Sequence, residues 1–324
     1  MALPSIREAA ISHQPGAGSV NQNGAGRAVV DAHHHVWDPG RNYHPWLRDE
    51  PPVRFRYGDY SAIRRPYLPE DYRRDAAPYR LLASVYVEAE WDPRDPVGEM
   101  DYIAALRAES GLPSVAVAQA WLDRADCGAV LESHAARGFV RSVRHKPRAN
   151  ASPAEGAPGG MTDTLWREGF ARLAPLGLRF DLQTPWWHLG EAARLAADFP
   201  ETTIILNHTG LPADRSSEGL ARWHEAMQRF SACPNVMVKI SGIGVPGQAW
   251  TADANRGVVL RTIEAFGVER CMFASNFPVD SLCASFPVIF GGFEAIVAGF
   301  PAAEQEALFV ENARRIYSIG EGHV

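Results

Sequence analysis

The sequence predicts an α/β fold, a (β/α)8 TIM-type barrel distorted by one long loop excursion after its first strand, and three observations carry that expectation. Short β-rich runs alternate with helical stretches eight times over, which calls for parallel strands joined by crossover helices. Several runs are apolar nearly throughout, residues 82–87 and 115–118 among them, as strands covered on both faces must be. Polar and titratable residues stand just after the strands, at the end where such barrels carry their sites. An open doubly wound sheet would place a glycine-rich phosphate turn after the first strand, where this chain has histidines.

Taken in order, residues 1–26 are rich in Gly, Ser, Gln, Asn and Ala and too poor in apolar side chains to fold alone. A disordered or loosely docked tail is expected there, ahead of one domain over residues 27–324. Strands are expected at residues 28–31, 81–87, 114–121, 139–143, 178–182, 203–206, 236–240 and 271–274. Among the helices, 96–110 opens on Pro96 and stops before Gly111. Stretches 126–137, 162–176 and 253–266 stop before Gly138, Gly177 and Gly267, since glycine takes the left-handed conformation at a helix end without a Cβ clash. Stretch 188–199 ends before Pro200, and 216–230 follows an Arg-Ser-Ser cap. Two more helical stretches, near 292–298 and 301–317, come after the eighth strand. Residues 37–78, dense in proline and aromatic side chains, break the short-loop rhythm and read as an excursion over the barrel mouth.

Composition narrows the function classes. A net charge of −6 and a pI near 6.0 give no reason to expect nucleic acid or an anionic membrane as partner. Four cysteines without a C-x-x-C or a framework spacing read as reduced thiols. No apolar window is long enough to span a membrane, and the N-terminus lacks the layout of a secretory signal. The expectation is a cytoplasmic protein acting on a small molecule, with monomer and homo-oligomer both open.

The chemistry centres on Asp31-Ala32-His33-His34-His35-Val36-Trp37. Side chains alternate along a strand, so His33 and His35 share one face with Asp31, and His34 takes the other. Two imidazoles so placed can bind one metal ion or grip one anionic oxygen. The later strands end on Glu88, on Arg144-His145-Lys146, on Gln183 followed by Trp186-Trp187-His188, on Asn207-His208, on Lys239 and Ser241, and on Ser275-Asn276 with Asp280 beyond. Any one of these alone would be an ordinary solvated residue. Their convergence on one end of seven strands points to a site.

These motifs resemble a known family. Asp31-Ala32-His33-His34-His35 is similar to the first-strand D-x-H-x-H of the amidohydrolase superfamily. Tyr43-His44-Pro45-Trp46-Leu47, Val87-Glu88-Ala89-Glu90, Val143-Arg144-His145, Phe180-Asp181-Leu182-Gln183, Leu206-Asn207-His208-Thr209-Gly210, Val238-Lys239-Ile240-Ser241-Gly242 and Phe273-Ala274-Ser275-Asn276-Phe277-Pro278 follow in order. Together they resemble the lactonase branch that includes L-fuconolactonase, L-rhamnono-lactonase and 2-pyrone-4,6-dicarboxylate lactonase. The resemblance implies hydrolysis of a lactone of a sugar acid or small organic acid. It implies His33, His35 and His208 as catalytic groups or ligands of one divalent ion, Zn²⁺ by preference, with metal-independent action as the alternative. Arg144 stands where the branch binds carboxylates.

Asn276 departs from the pattern, which has a metal-binding, proton-accepting Asp at that place; an amide takes up no proton at neutral pH. Gln183 likewise occupies the region of the fifth-strand histidine. The expected mechanism is water attack on the carbonyl, with Glu88, Asp280 or a histidine as base. Arg144, with His145, Lys146 and Lys239, would hold a substrate carboxylate, and Trp37, Trp46, Trp186 and Trp187 would wall the pocket. Asp31 and Asn207 are expected to orient histidines. The competing readings are a metal-dependent decarboxylase of an aromatic acid and a non-catalytic ligand-binding barrel.

Overall fold

The computed structural model describes residues 26–320, so the expected N-terminal tail lies outside the described residues except at its last position. Eight strands form the barrel wall: β1 (Ala28–His34), β2 (Arg80–Val87), β3 (Val115–Gln119), β4 (Val140–Arg144), β5 (Arg179–Leu182), β6 (Ile204–Leu206), β7 (Val236–Ile240) and β8 (Cys271–Phe273). They pair in sequence order, each parallel to the next. Helices cross between them, and the eightfold alternation read from the sequence is the architecture found.

The ring is nearly closed. No ladder joins β1 to β8; a single parallel bridge, His34 to Phe277, spans the gap just beyond β8. There the His35 amide donates to the Phe277 carbonyl at 2.7 Å and the Asn276 amide to the His33 carbonyl at 2.8 Å. Asp31 completes the seam. Its carboxylate accepts from the Ser275 amide at 2.8 Å, the Ser275 hydroxyl at 2.5 Å, the Tyr72 hydroxyl at 2.9 Å and the His33 amide at 3.2 Å. Burial raises its pKa to about 6 against the pull of those four donors, which still leaves it ionised at neutral pH. Asp31 therefore fastens the first strand to the last and makes no bond to an imidazole, contrary to its expected role.

Several helices differ from expectation for local reasons. The excursion carries two helices of its own, Pro45–Arg48 and Pro69–Ala76, each opened by a proline whose fixed φ suits the first turn. The expected helix over 162–176 is broken into Gly160–Thr162, Thr164–Phe170 and Ala174–Leu176. Pro175 supplies no amide and its ring crowds the preceding turn, which stops a continuous helix. The helix expected near 292–298 begins earlier and spans Phe286–Val297, with Pro287 in its first turn. The final stretch passes through a π turn, Ala307–Glu311, between Ala302–Glu306 and Asn312–Tyr317. Among the described residues no helix is long and apolar enough to cross a membrane. All four cysteines are free.

Candidate active site

The C-terminal strand ends surround a cavity of about 290 Å³. Side chains just past β1 (His35) and β2 (Glu88), at the end of β4 (Arg144) and in the segments after β5, β6 and β8 (Gln183, His208, Asn276) form its floor, and the excursion covers it with Trp37, Trp46, Phe55 and Arg56. Backbone strain gathers here. Glu90, His208, Thr209, Leu211 and Asn276 all have left-handed φ values between 50° and 58°, and all follow strand ends. Non-glycine residues avoid that region, and persistence in it marks places where surrounding structure overrides local preference.

Three imidazoles define the floor. His33 lies beneath His35 and His208, its ring centroid 5.0 Å from the first and 4.7 Å from the second. The Nε2 atoms of His33 and His35 are 3.3 Å apart. His35 Nδ1 is 2.7 Å from the Val87 carbonyl oxygen, which only accepts, so Nδ1 carries the proton and Nε2 a lone pair. Without an ion, His33 must then donate from Nε2 to His35. His208 Nδ1 pairs with the Ser241 hydroxyl at 2.9 Å, leaving Nε2 toward the cavity. Burial, first, drives all three pKa values well below the usual histidine range. Neighbouring cations add to the effect, chiefly Lys239 at His33, Arg144 at His35 and Arg56 at His208. All three rings are uncharged at neutral pH.

The His33–His35 separation also matches two ligands on one tetrahedral ion at bonds of about 2.0–2.1 Å. Beyond that pair the fit stops. Among the described residues no group of three or more His, Cys, Asp or Glu is arranged to hold a metal ion. His208, the third ligand expected, does not complete such a group with them, and Asn276, which also lines the cavity, carries an amide whose Nδ2 donates to Asp280 at 2.6 Å.

The remaining expected residues divide by geometry. Arg144 reaches the cavity but is heavily committed: it pairs with Glu88 through Nε, donates from Nη2 to the Glu88 carbonyl at 2.7 Å and from Nη1 to Gln183 at 2.9 Å. Glu88 also accepts from the Glu90 amide at 2.7 Å. Lys146 lines the cavity in an ion pair with Glu90. Asp280 is buried behind Asn276, where its Oδ1 accepts from Asn276 and, at 3.0 Å, from Tyr57, with Arg56 Nη2 3.7 Å away. Burial raises its pKa.

Others stand outside the cavity. His145 turns away and its Nδ1 accepts from the Leu122 amide at 3.0 Å. Lys239 lies inside the barrel with Nζ 2.6 Å from Asp181, both side chains fully buried. Trp187 lines a neighbouring cavity, and Trp186 lies beyond that, while Trp37 and Trp46 do wall the first one. His34 points away as expected, stacked on Tyr72 at 4.1 Å. Asn207 is buried with neither side-chain polar atom hydrogen-bonded, so it orients no histidine.

Sequence reasoning missed Arg56 and Tyr57, which come from the middle of the excursion and reach Asp280 across more than two hundred residues. No spacing rule links so distant a pair. It also missed the role of Ser241 in fixing His208, and the need for Gly242. At Gly242 φ is +59°, and a Cβ would stand 2.5 Å from His208 Nδ1.

The sequence profile of the amidohydrolase family matches residues 30–319. An uncharacterized protein, y4mH, of Sinorhizobium fredii is 38% identical over 297 residues, covering 90% of this chain and 99% of that protein. An L-fucono-1,5-lactonase of Burkholderia multivorans is 27% identical over 313 residues, covering 91% of this chain and 98% of its own. Among solved structures, an amidohydrolase of Burkholderia multivorans with bound zinc superposes with a TM-score of 0.74 at 24% identity, covering 90% of this chain and 100% of that one, a likeness of fold. With the profile running from β1 to the last helix, and His35 of the first-strand motif lining the cavity, this chain belongs to the amidohydrolase family.

Proposed function

We propose that the protein is a hydrolase that opens a lactone, a cyclic ester of a small carboxylic acid. The observation that carries this reading is His208: an uncharged imidazole with Nδ1 tied to Ser241 and Nε2 toward a cavity that is ringed by Arg54, Arg56, Arg144 and Lys146. Ester hydrolysis needs both parts. A neutral imidazole accepts the proton of the attacking water, and fixed cations stabilise the negative charge that grows on the carbonyl oxygen and remains on the acid product.

His208 is favoured over the other two bases considered. Glu88 is held by Arg144 and the Glu90 amide, and Asp280 sits behind Asn276 with its Oδ1 already accepting from two donors. The Nε2 of His35 faces His33. In the proposed step a water beside His208 gives its proton to Nε2 and its oxygen to the acyl carbon, and the ring oxygen leaves as the alcohol after reprotonation. Four cationic and two anionic side chains line the cavity, a balance suited to an acid product. Should His33 and His35 hold a divalent ion, it would supply Lewis-acid polarisation of the carbonyl.

The test is a panel of γ- and δ-lactones and hydroxybenzoates, with acid release and CO₂ followed separately, with and without chelator. Acid release from at least one lactone, lost in His208→Ala, is the expected result. Release of CO₂ from a hydroxybenzoate with no lactone opened would make the protein a decarboxylase. Neither product would leave the non-catalytic reading.

A further inference from the structure

A second cavity, of about 280 Å³, lies against the first, and Arg56 lines both. Its character is different. Trp187, Leu211, Pro212, Ile243 and Val245 give it mostly carbon walls, where the first is ringed by charge. Tyr57, which also borders it, has its hydroxyl spent on Asp280.

The partition between the two is lightly held. Arg56 Nη1 is 3.4 Å from the Gly242 carbonyl and Nη2 3.7 Å from Asp280, both at the outer limit of a useful contact. Its guanidinium rests over the Tyr57 ring at 4.5 Å, and its side chain keeps 29% exposure. Arg56 is the residue the two linings share. Gly242 stands at the same junction, where a Cβ would come within 2.8 Å of Arg56 Nη2.

At the wall of the second cavity is Arg215. Its Nη2 donates to the Ile243 carbonyl at 2.6 Å, while Nε and Nη1 are buried without a partner. Among the described residues no carboxylate pairs with it. Nη2 also reaches Asn255 Oδ1 at 3.5 Å, so the half-buried guanidinium is partly hydrogen-bonded but lacks a counter-charge, which an arriving anion would supply.

We propose that the second cavity seats the far end of the substrate, an apolar arm that ends in a carboxylate. The preferred substrates are then lactones bearing such an arm, and compact polyhydroxylated sugar lactones are poor ones. This rests on the lactone-hydrolase reading of the first cavity. Sugar hydroxyls set against these carbon walls would lose their hydrogen bonds to water without replacement. An aryl or alkyl arm gains by burial there, and its terminal carboxylate answers Arg215.

Binding tests the inference apart from turnover. Calorimetry on the full chain would compare 3-phenylpropanoate, 3-phenylpropan-1-ol and propanoate. The expected result is 3-phenylpropanoate binding about tenfold or more tightly than either of the others. Val245→Trp, which fills the cavity, should erase the advantage over propanoate, and Arg215→Gln the advantage over the alcohol. Equal affinity for all three probes on the wild type overturns the inference without recourse to any variant, and so does a folded Val245→Trp that keeps the full preference. In turnover, a lactone carrying a phenylalkanoate arm should exceed D-glucono-1,5-lactone in kcat/KM. Parity overturns the inference and leaves the lactone reading intact. Selective probe binding with no lactone opened sinks that reading and leaves the second cavity a ligand site.

Discussion

Two buried polar clusters sit inside the same barrel, and they are built on opposite principles. Around Asp181, the carboxylate accepts from Ser142 at 2.7 Å and from Tyr317 at 2.9 and 3.0 Å, and Lys239 pairs with it at 2.6 Å. The ammonium also lies 5.0 Å from the centre of the Tyr317 ring. At the strand ends, by contrast, His33 Nδ1 is buried without a partner, His208 leaves Nε2 toward the cavity, and five residues, His208 and Asn276 among them, hold left-handed backbones. Both clusters carry residues that look equally chemical in the sequence. In the first, charge is balanced by an ion pair and the carboxylate accepts from two hydroxyls, although Lys239 Nζ makes no well-aligned hydrogen bond; in the second, ring nitrogens remain free, as the proposed reaction requires.

The largest effect should come from the ion-paired cluster around Asp181. Lys239→Met strips Asp181 of its counter-charge, and breaking a buried pair from one side costs about 3–5 kcal/mol. Urea denaturation would show it as a lowered midpoint. The double change Lys239→Met with Asp181→Leu should recover much of that loss, because no unpaired charge remains. A double variant no more stable than the single one would break the contrast.

His208→Ala should do the reverse, lowering kcat/KM by about 10²–10⁴-fold while moving the urea midpoint less than Lys239→Met does. The pH profile sharpens this further. Burial and the charges of Arg56, Arg144 and Lys239 lower the His208 pKa, so the reactive neutral form persists well below pH 6.5. Activity should therefore hold level down through pH 6.5 and fall only in more acid solution, where the imidazole takes its proton. An acid limb centred at or above 6.5 would contradict the assignment.

Asn276→Asp puts a second carboxylate next to Asp280, at a spot where the amide nitrogen and Asp280 Oδ1 are 2.6 Å apart. Two carboxylates so close share one proton, raising the pKa of the pair. The sign follows directly: the variant's stability should fall, relative to the wild type, as pH rises through that raised value, measurable by thermal melts from pH 4 to 8. The smallest effect is expected of Gly242→Ala. It combines a strained φ with a Cβ 2.5 Å from His208 Nδ1 and should cost about 1–3 kcal/mol of stability together with part of the activity.

The contrast also explains what the sequence could and could not reveal. All eight strands were legible because buried parallel strands must be apolar, and most helix ends because glycine and proline mark them, the broken 162–176 stretch and the early start at Phe286 being the exceptions. His33, His35 and His208 were legible because alternation along β1 and position after β6 fix where they point. The division between Lys239 and His208 was not, since each is a polar residue near a strand end and only the partners across the barrel tell them apart. The roles of Asp31 and Arg144 were hidden for the same reason: one is consumed by the seam to Ser275, the other largely by Glu88 and Gln183. Arg56, Tyr57 and Arg215 lie in irregular segments whose path no periodicity describes.

Hydrolysis in ¹⁸O-labelled water is the most direct test of the central claim, that the cluster at the strand ends adds water to the carbonyl of a lactone. With a lactone from the panel that is opened, the account predicts one labelled oxygen in the carboxylate of the product and none in its alcohol. Label in the alcohol, or ring opening that His208→Ala leaves at the wild-type rate, would contradict it.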